Sequence, residues 1–306
     1  MKQEVGLIGF GEAGFTLATT GNWGDSAFVF DIKATEADTR AAMLAAYARA
    51  GVQQAASLHI LVGDAALLLS LVTADKALSV AQDAAASIVP GALFCDFNSI
   101  APTTKQAAAR AIEGAGGHYV DVAMMAPVAP PGVAVPLLLS GPQASRAQAH
   151  LAALGFTRTR IVGADVGRAS SIKMIRSVMV KGIEALTAEC MIAADAAGVL
   201  DELLSSLDAS EKAQPWADRA DYNLDRMMVH GLRRAAEMEE VVKTLDALGT
   251  GSMMTRGVVE RQRAIGCLAA TPPPKGLKEK LQHLSTASIQ SDGRSHKNVD
   301  ASREKI

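Results

Sequence analysis

Gly9-Phe10-Gly11-Glu12-Ala13-Gly14 stands directly after the apolar run Val5–Ile8 and at the head of an amphipathic stretch, and Asp31 closes the next apolar run. In such a turn each glycine has its own task. The first makes the tight bend, the second lets phosphates approach the backbone, and the third lets helix pack closely on strand. The helix start adds N–H donors and the positive end of a dipole, both suited to a pyrophosphate. A carboxylate at Asp31 would accept the hydroxyls of an adenine ribose and repel a 2′-phosphate, which favours NAD over NADP. Lys33 pulls the other way, so NADP stays open. The same glycines could make a tight turn in another doubly wound protein, but strand, turn, helix, second strand and acid in this order form a specific set.

A second constellation lies on one predicted helix. Lys173, Arg176, Ser177, Lys181 and Glu184 fall at offsets 0, 3, 4, 8 and 11, a polar stripe on an otherwise apolar segment. Such a stripe either faces solvent or lines a wet cleft. In a cleft, a second cation would lower the pKa of Lys173 and fit it for proton exchange, and Arg176 and Lys181 are candidates for that cation. Metal chemistry has no comparable basis: Cys95, Cys190 and Cys267 form no CxxC, and the six histidines are scattered.

The elements that must position these groups alternate. Strands are predicted at 5–8, 27–30, 67–72, 93–97 and 119–124, with helices at 12–20, 36–50, 74–86 and 103–113 between them, the pattern of a parallel sheet covered on both faces. Two further strands, 135–140 and 157–162, extend the sheet edge. Beyond Gly163 only helices are expected, at 170–197, 200–207, 215–228, 232–248, 255–268 and 276–286. The fold class is therefore α/β, a doubly wound Rossmann sheet over 1–163 followed by an all-α domain over 164–290. Thr271-Pro272-Pro273-Pro274 serves as a connector, and the polar tail 291–306 is expected to be frayed.

Composition bounds the partners. The chain has 306 residues, 49% of them hydrophobic, and a net charge of -2, so it has no global field to attract nucleic acid. The apolar helix carries too many charges for a membrane span. With reduced thiols and no signal peptide, a cytoplasmic protein acting on a small molecule is expected.

Four segments in order resemble the β-hydroxyacid dehydrogenase superfamily: the glycine turn, Asp96-Phe97-Asn98-Ser99-Ile100-Ala101-Pro102, Tyr119–Ala126, and Gly167–Lys173. The family includes 3-hydroxyisobutyrate dehydrogenase and 6-phosphogluconate dehydrogenase, and the chain is most similar to a divergent branch with a C-terminal domain of unknown function. The resemblance implies that Lys173 is the general acid/base for the substrate hydroxyl. It places Asn98 and Ser99 beside the nicotinamide-side ribose or the substrate. Val72 and Thr73, at the end of the third predicted strand, join the cofactor-binding residues Gly9 to Gly14, while Met124, Met125, Arg176, Ser177 and His230 are assigned to substrate. It further implies a homodimer built through the helical domain.

Three departures from the family loosen the substrate. Met125-Ala126-Pro127 replaces a Ser-Gly-Gly carboxylate loop, Ser177 replaces an asparagine that orients the lysine, and a second lysine has no clear counterpart. His230, Arg233 and Arg234, at helical spacing with Glu237, are the nearest polar groups to the last. Methionines 124, 125, 174, 227, 228, 253 and 254 suggest a roomier, less polar pocket than small hydroxyacids need. The expected activity is hydride transfer between NAD(P) and a 3-hydroxyacid or related β-hydroxy compound. Sugar-acid oxidation of the 6-phosphogluconate type and a non-catalytic dinucleotide-binding protein are the alternatives.

Overall fold

The computed structural model describes residues 5–210, 214–268 and 272–286. Contacts divide the chain into two units, Met1–Met179 and Val180–Ile306. The first unit is built on an eight-stranded sheet: β1 (Val5–Ile8), β2 (Ala27–Phe30), β3 (Gln53–Gln54), β4 (Leu67–Ser70), β5 (Leu93–Asp96), β6 (His118–Met124), β7 (Leu137–Ser140) and β8 (Thr159–Gly163). Their spatial order is β3-β2-β1-β4-β5-β6-β7-β8. All pairs are parallel except β6 with β7. Strands β1, β4 and β5 are buried at every residue, as a sheet covered on both faces requires.

The covering helices are α1 (Glu12–Thr20), α2 (Ala37–Ala50), α3 (Leu58–Asp64), α4 (Ala77–Ala85), α5 (Pro102–Gly114) and α6 (Ala144–Ala153). Two large apolar cores result, beside a small third cluster of Ala123, Leu138 and Ala169. Leu7, Leu17, Leu69, Val120 and Phe156 belong to one, and Ile8, Leu68, Phe94, Ile112 and Tyr119 to the other. Chain order reverses its direction of growth between β1 and β4, which puts a crevice at the carboxyl ends of these strands. The glycine turn after β1 opens there.

Several sequence expectations need correction. The strand at 67–72 ends at Ser70, which leaves Val72 and Thr73 in the following loop. Helices α3 and α6 and the two-residue strand β3 were not expected. Only seven residues long, α3 carries too little periodicity to read, although Ser57 caps it by accepting the N–H of Ile60 at 3.2 Å.

After β8 come α7 (Arg168–Ala196), α8 (Leu200–Ser210), α9 (Trp216–Leu248) and α10 (Met253–Gly266), with residues 277–286 also helical. The division at Met179 falls inside α7, whereas the change to helices falls at Gly163. The first turn of α7 explains the difference, because Ala169 and Ser170 are buried with the first unit. Helices expected at 215–228 and 232–248 are one continuous helix, α9. Gly231 does not break it; the residue is needed for contact, since a Cβ there would lie 2.5 Å from the Gln262 carbonyl oxygen and 2.8 Å from Gly266 Cα of α10. The tail 291–306 lies outside the described residues.

Candidate active site

The glycine turn is held by packing on one side and is open on the other. Gly9 has φ +91°, and a Cβ on it would sit 2.7 Å from the Leu71 carbonyl oxygen and 3.1 Å from Val72 Cγ1. At Gly14 a Cβ would lie 2.9 Å from the Gly9 carbonyl oxygen, so both glycines are demanded by the chain itself. Gly11 is different: a Cβ there meets no atom within 4 Å, and its φ of −73° is open to any residue. The turn therefore has room above its middle glycine, at the N-terminus of α1, where the first N–H groups have no intrahelical acceptor. A pyrophosphate fits that place, with Gly9 to Gly14 as its cradle.

Asp31 fastens this turn. Its Oδ2 accepts the Phe10 N–H at 2.7 Å and its Oδ1 accepts the Lys33 N–H at 2.9 Å, so the end of β2 is tied to the end of β1. Phe10 packs edge-on against Tyr47 and Phe15. Burial, together with the nearby Asp31 charge, pushes the Tyr47 phenol up to about 12.

Farther along the sheet, the loop after β5 meets α7. Lys173 Nζ donates to Ser99 Oγ at 2.6 Å, and Arg176 reaches toward the Met125 carbonyl oxygen at 3.4 Å. Four residues selected from sequence are thus gathered at the carboxyl end of β5 and the far end of β6. Lys173 is half-buried and Arg176 exposed, in keeping with a polar stripe that faces solvent or a wet cleft. Asn98 is 5% exposed; its Nδ2 donates to Ser70 Oγ at 2.9 Å, while its Oδ1 is buried without a hydrogen-bond partner. Ser177 turns its hydroxyl back to the Lys173 carbonyl oxygen at 2.9 Å, which directs it along the helix.

The remaining candidates are distributed over both units. The methionines scatter: Met228 is buried, Met253 is 83% exposed, and Met124 and Met125 pack against different cores. His230, Arg233 and Arg234 lie on α9 in the second unit, where Arg226, Arg234, Tyr222 and Gln262 help line a cavity of about 360 Å³. The side chains of Lys181, Glu184 and Glu237 lie outside the described residues.

Sequence reading missed the groups beneath the site. Lys105, Asp96 and Asp121 are fully buried, and Lys105 Nζ lies 3.1 Å from Asp96 Oδ1 and 3.4 Å from Asp121 Oδ1. A signal was present: Lys105, Ala108, Ala109 and Ile112 form the buried stripe of α5 at offsets 0, 3, 4 and 7, so the lysine occupies a core position. Tyr119 donates its hydroxyl to Asp96 Oδ2 at 2.5 Å, and burial with that carboxylate drives the phenol far above its ordinary range, which keeps it a donor. Among the described residues no cluster of His, Cys, Asp and Glu could hold a metal ion, and no helix is long and apolar enough to cross a membrane.

Residues 4–129 match the NAD binding domain of 6-phosphogluconate dehydrogenase, and residues 194–265 match a domain of unknown function, DUF1932. A conserved hypothetical protein from Sinorhizobium meliloti 1021, known as a crystal structure, is 34% identical. That match covers 94% of this chain and 97% of the other, with a TM-score of 0.59. A conserved protein of unknown function, described as structurally similar to 3-hydroxyacid dehydrogenases, is 27% identical over 86% of this chain and 96% of its own, with a TM-score of 0.56. An imine reductase from Myxococcus stipitatus in complex with NADP+ shares the fold at 18% identity, covering 85% of this chain and 93% of its own, with a TM-score of 0.66.

Proposed function

The chain belongs to the family that joins an NAD-binding domain of the 6-phosphogluconate dehydrogenase type to a C-terminal DUF1932 domain, and on that premise we propose that it is a nicotinamide-dependent dehydrogenase or reductase. The proposed substrate is a 3-hydroxyacid or related β-hydroxy compound. One observation carries the reading: Lys173 Nζ is hydrogen-bonded to Ser99 Oγ at 2.6 Å, at the end of the sheet where open α/β folds bind ligands.

The bound cofactor supplies the hydride donor or acceptor. Gly9 to Gly14 hold its phosphates, with Val72 and Thr73 bordering the turn, and Asn98 Oδ1 offers a buried acceptor with no partner of its own. Lys173 Nζ takes the hydroxyl proton of the substrate in oxidation and returns it to the carbonyl oxygen in reduction. Ser99 Oγ orients that nitrogen by accepting from it. Arg176, beside the Met125 carbonyl, is positioned for a negative group on the substrate.

NAD is the first choice because Asp31 sets a carboxylate at the end of β2, where a 2′-phosphate would be repelled. Lys33, and the NADP-bound imine reductase that shares the fold, put NADP in the same test. The fold relatives also favour a second reading, reduction of a carbon–nitrogen double bond, which suits the loss of the family's serine at Met125.

Purified protein is assayed with NAD(H) and NADP(H) against hydroxyacids, their carbonyl counterparts and cyclic imines, beside Lys173→Ala. Turnover of a β-hydroxy compound is expected, and Lys173→Ala should lower kcat about 10²- to 10⁴-fold, the usual range for a general acid/base. Wild-type turnover by the variant would remove Lys173 from the mechanism. Activity confined to imines would replace the substrate class while keeping the cofactor chemistry.

A further inference from the structure

The register of β5 on β6 sets Asp96 beside Asp121, and the neighbouring strands add Ser70 and Ser140, so one polar row crosses four strands with no exposure to solvent. Two facing carboxylates in such a place repel each other and call for a cation between them. Lys105 enters from α5 and lies against both, also donating to the Asp96 carbonyl oxygen at 2.6 Å.

Each carboxylate then leads to one half of the candidate site. Asp96 Oδ1 accepts the Asn98 N–H at 2.8 Å, which shapes the loop that presents Ser99. Asp121 Oδ2 accepts from Gly167 N at 3.2 Å and from both N and Oγ of Ser170 at 3.0 Å, and so caps α7 where the helix dipole favours an anion. Ser140 Oγ adds the Ala169 N–H at 3.0 Å. Lys173 stands one helical turn beyond Ser170. The two arms begin at Lys105 and meet again where Lys173 Nζ donates to Ser99 Oγ.

We propose that Lys105 is a positioning residue, which sets the Ser99–Lys173 pair by holding Asp96 and Asp121 at a fixed spacing; this rests on the reading of Lys173 as the proton-transferring group. Stability alone does not account for the cluster, because well-packed apolar residues commonly replace a buried ion pair without loss. What the charges add here is a single geometry for two segments that must meet above them.

The test compares Lys105→Met, Ser99→Ala and their combination in the full chain. Lys105→Met is expected to lower kcat about 10- to 100-fold, the scale of an ångström-sized misplacement, while NADH affinity measured by fluorescence falls by less than kcat, since the Asn98 loop is disturbed but the glycine turn is not. In the Ser99→Ala background the same change should cost less than about threefold, since both act on one pair. A readout independent of turnover is the NMR signal of ¹³C-methylated Lys173, assigned by its loss in Lys173→Arg; Lys105→Met and Ser99→Ala should both shift it. Should Lys105→Met fail to fold, Ser170→Ala keeps all three charges, removes one donor from Asp121, and should shift the same signal. Additive losses in kcat, or an unmoved Lys173 signal, would overturn the proposal. A wild-type protein inert toward every substrate would defeat the functional reading, and the Lys173 signal would still decide this one.

Discussion

Asp31 has two duties that separate experimentally. A carboxylate that only met ribose hydroxyls would leave the ligand-free protein unchanged when removed. Here both oxygens already accept backbone N–H groups, from Phe10 and Lys33, so the residue also fastens the turn before any ligand arrives. Hydrogen bonds to a charged group contribute about 1.5–3 kcal/mol, and exposure of part of Asp31 favours the lower end. Asp31→Ala is therefore expected to lower the melting temperature of the ligand-free protein by several degrees and to weaken NADH binding about tenfold. An unchanged melting temperature would confine Asp31 to ligand contact. Residues of this kind are legible because glycine spacing and a terminal acid form a local pattern. Lys105 was legible only in part: the apolar stripe of α5 marks it as a core position, but only the register of β5 on β6 reveals the two carboxylates that hold it.

At the scale of elements, strands are legible where apolar runs are short and bounded, as in Leu67–Ser70 and Leu93–Asp96, and the reading fails where one residue type serves two purposes. The gap expected between helices 215–228 and 232–248 contains Gly231, yet this residue lies within α9, where Gly266 of α10 crosses it closely. The neighbours of a new methyl at Gly231 are backbone atoms, which cannot swing aside. Gly231→Ala is expected to destabilise the protein by about 1–3 kcal/mol, the range for overpacking, as measured by chemical denaturation. A variant as stable as wild type would show that α9 and α10 pack less closely. The start of α10 makes a second case. Glu189 accepts the N–H groups of Met254 and Thr255 at 2.9 Å and the Thr255 hydroxyl at 2.5 Å. Burial pushes its carboxyl up, but these three donors outweigh it and hold the group below its usual value. A folded-state pKa below the unfolded one gives stability that is complete above the unfolded value of about 4.3 and is lost as pH falls through the folded value. Glu189→Gln should therefore melt lower than wild type at pH 7, with the gap closing as pH falls below the ordinary glutamate range. A gap that persisted in acid would trace the effect to shape and not to charge.

For the whole molecule, the question is what covers the helical unit. Helix α8 buries none of its residues, and among the described residues the apolar cluster of this unit consists of Ala235, Val242 and Val259 with Met238 against it. Ile183, Ile192, Leu232 and Met253 are 46%, 56%, 54% and 83% exposed on a single chain. Large apolar side chains spread over successive helices at such exposure exceed what a monomer ordinarily leaves in water. The β-hydroxyacid dehydrogenase resemblance points to a second copy of the chain as the cover, and a symmetric dimer is the commonest closed solution. Sedimentation at micromolar concentration is expected to give a dimer, with a melting temperature that rises with protein concentration because association is linked to folding. Leu232→Asp should shift the sedimentation toward monomer and abolish that concentration dependence, since burying an unpaired carboxylate in the interface is costly. A wild-type chain that sediments as a monomer, with a melting temperature independent of concentration, would mean that these side chains face something other than their own copies.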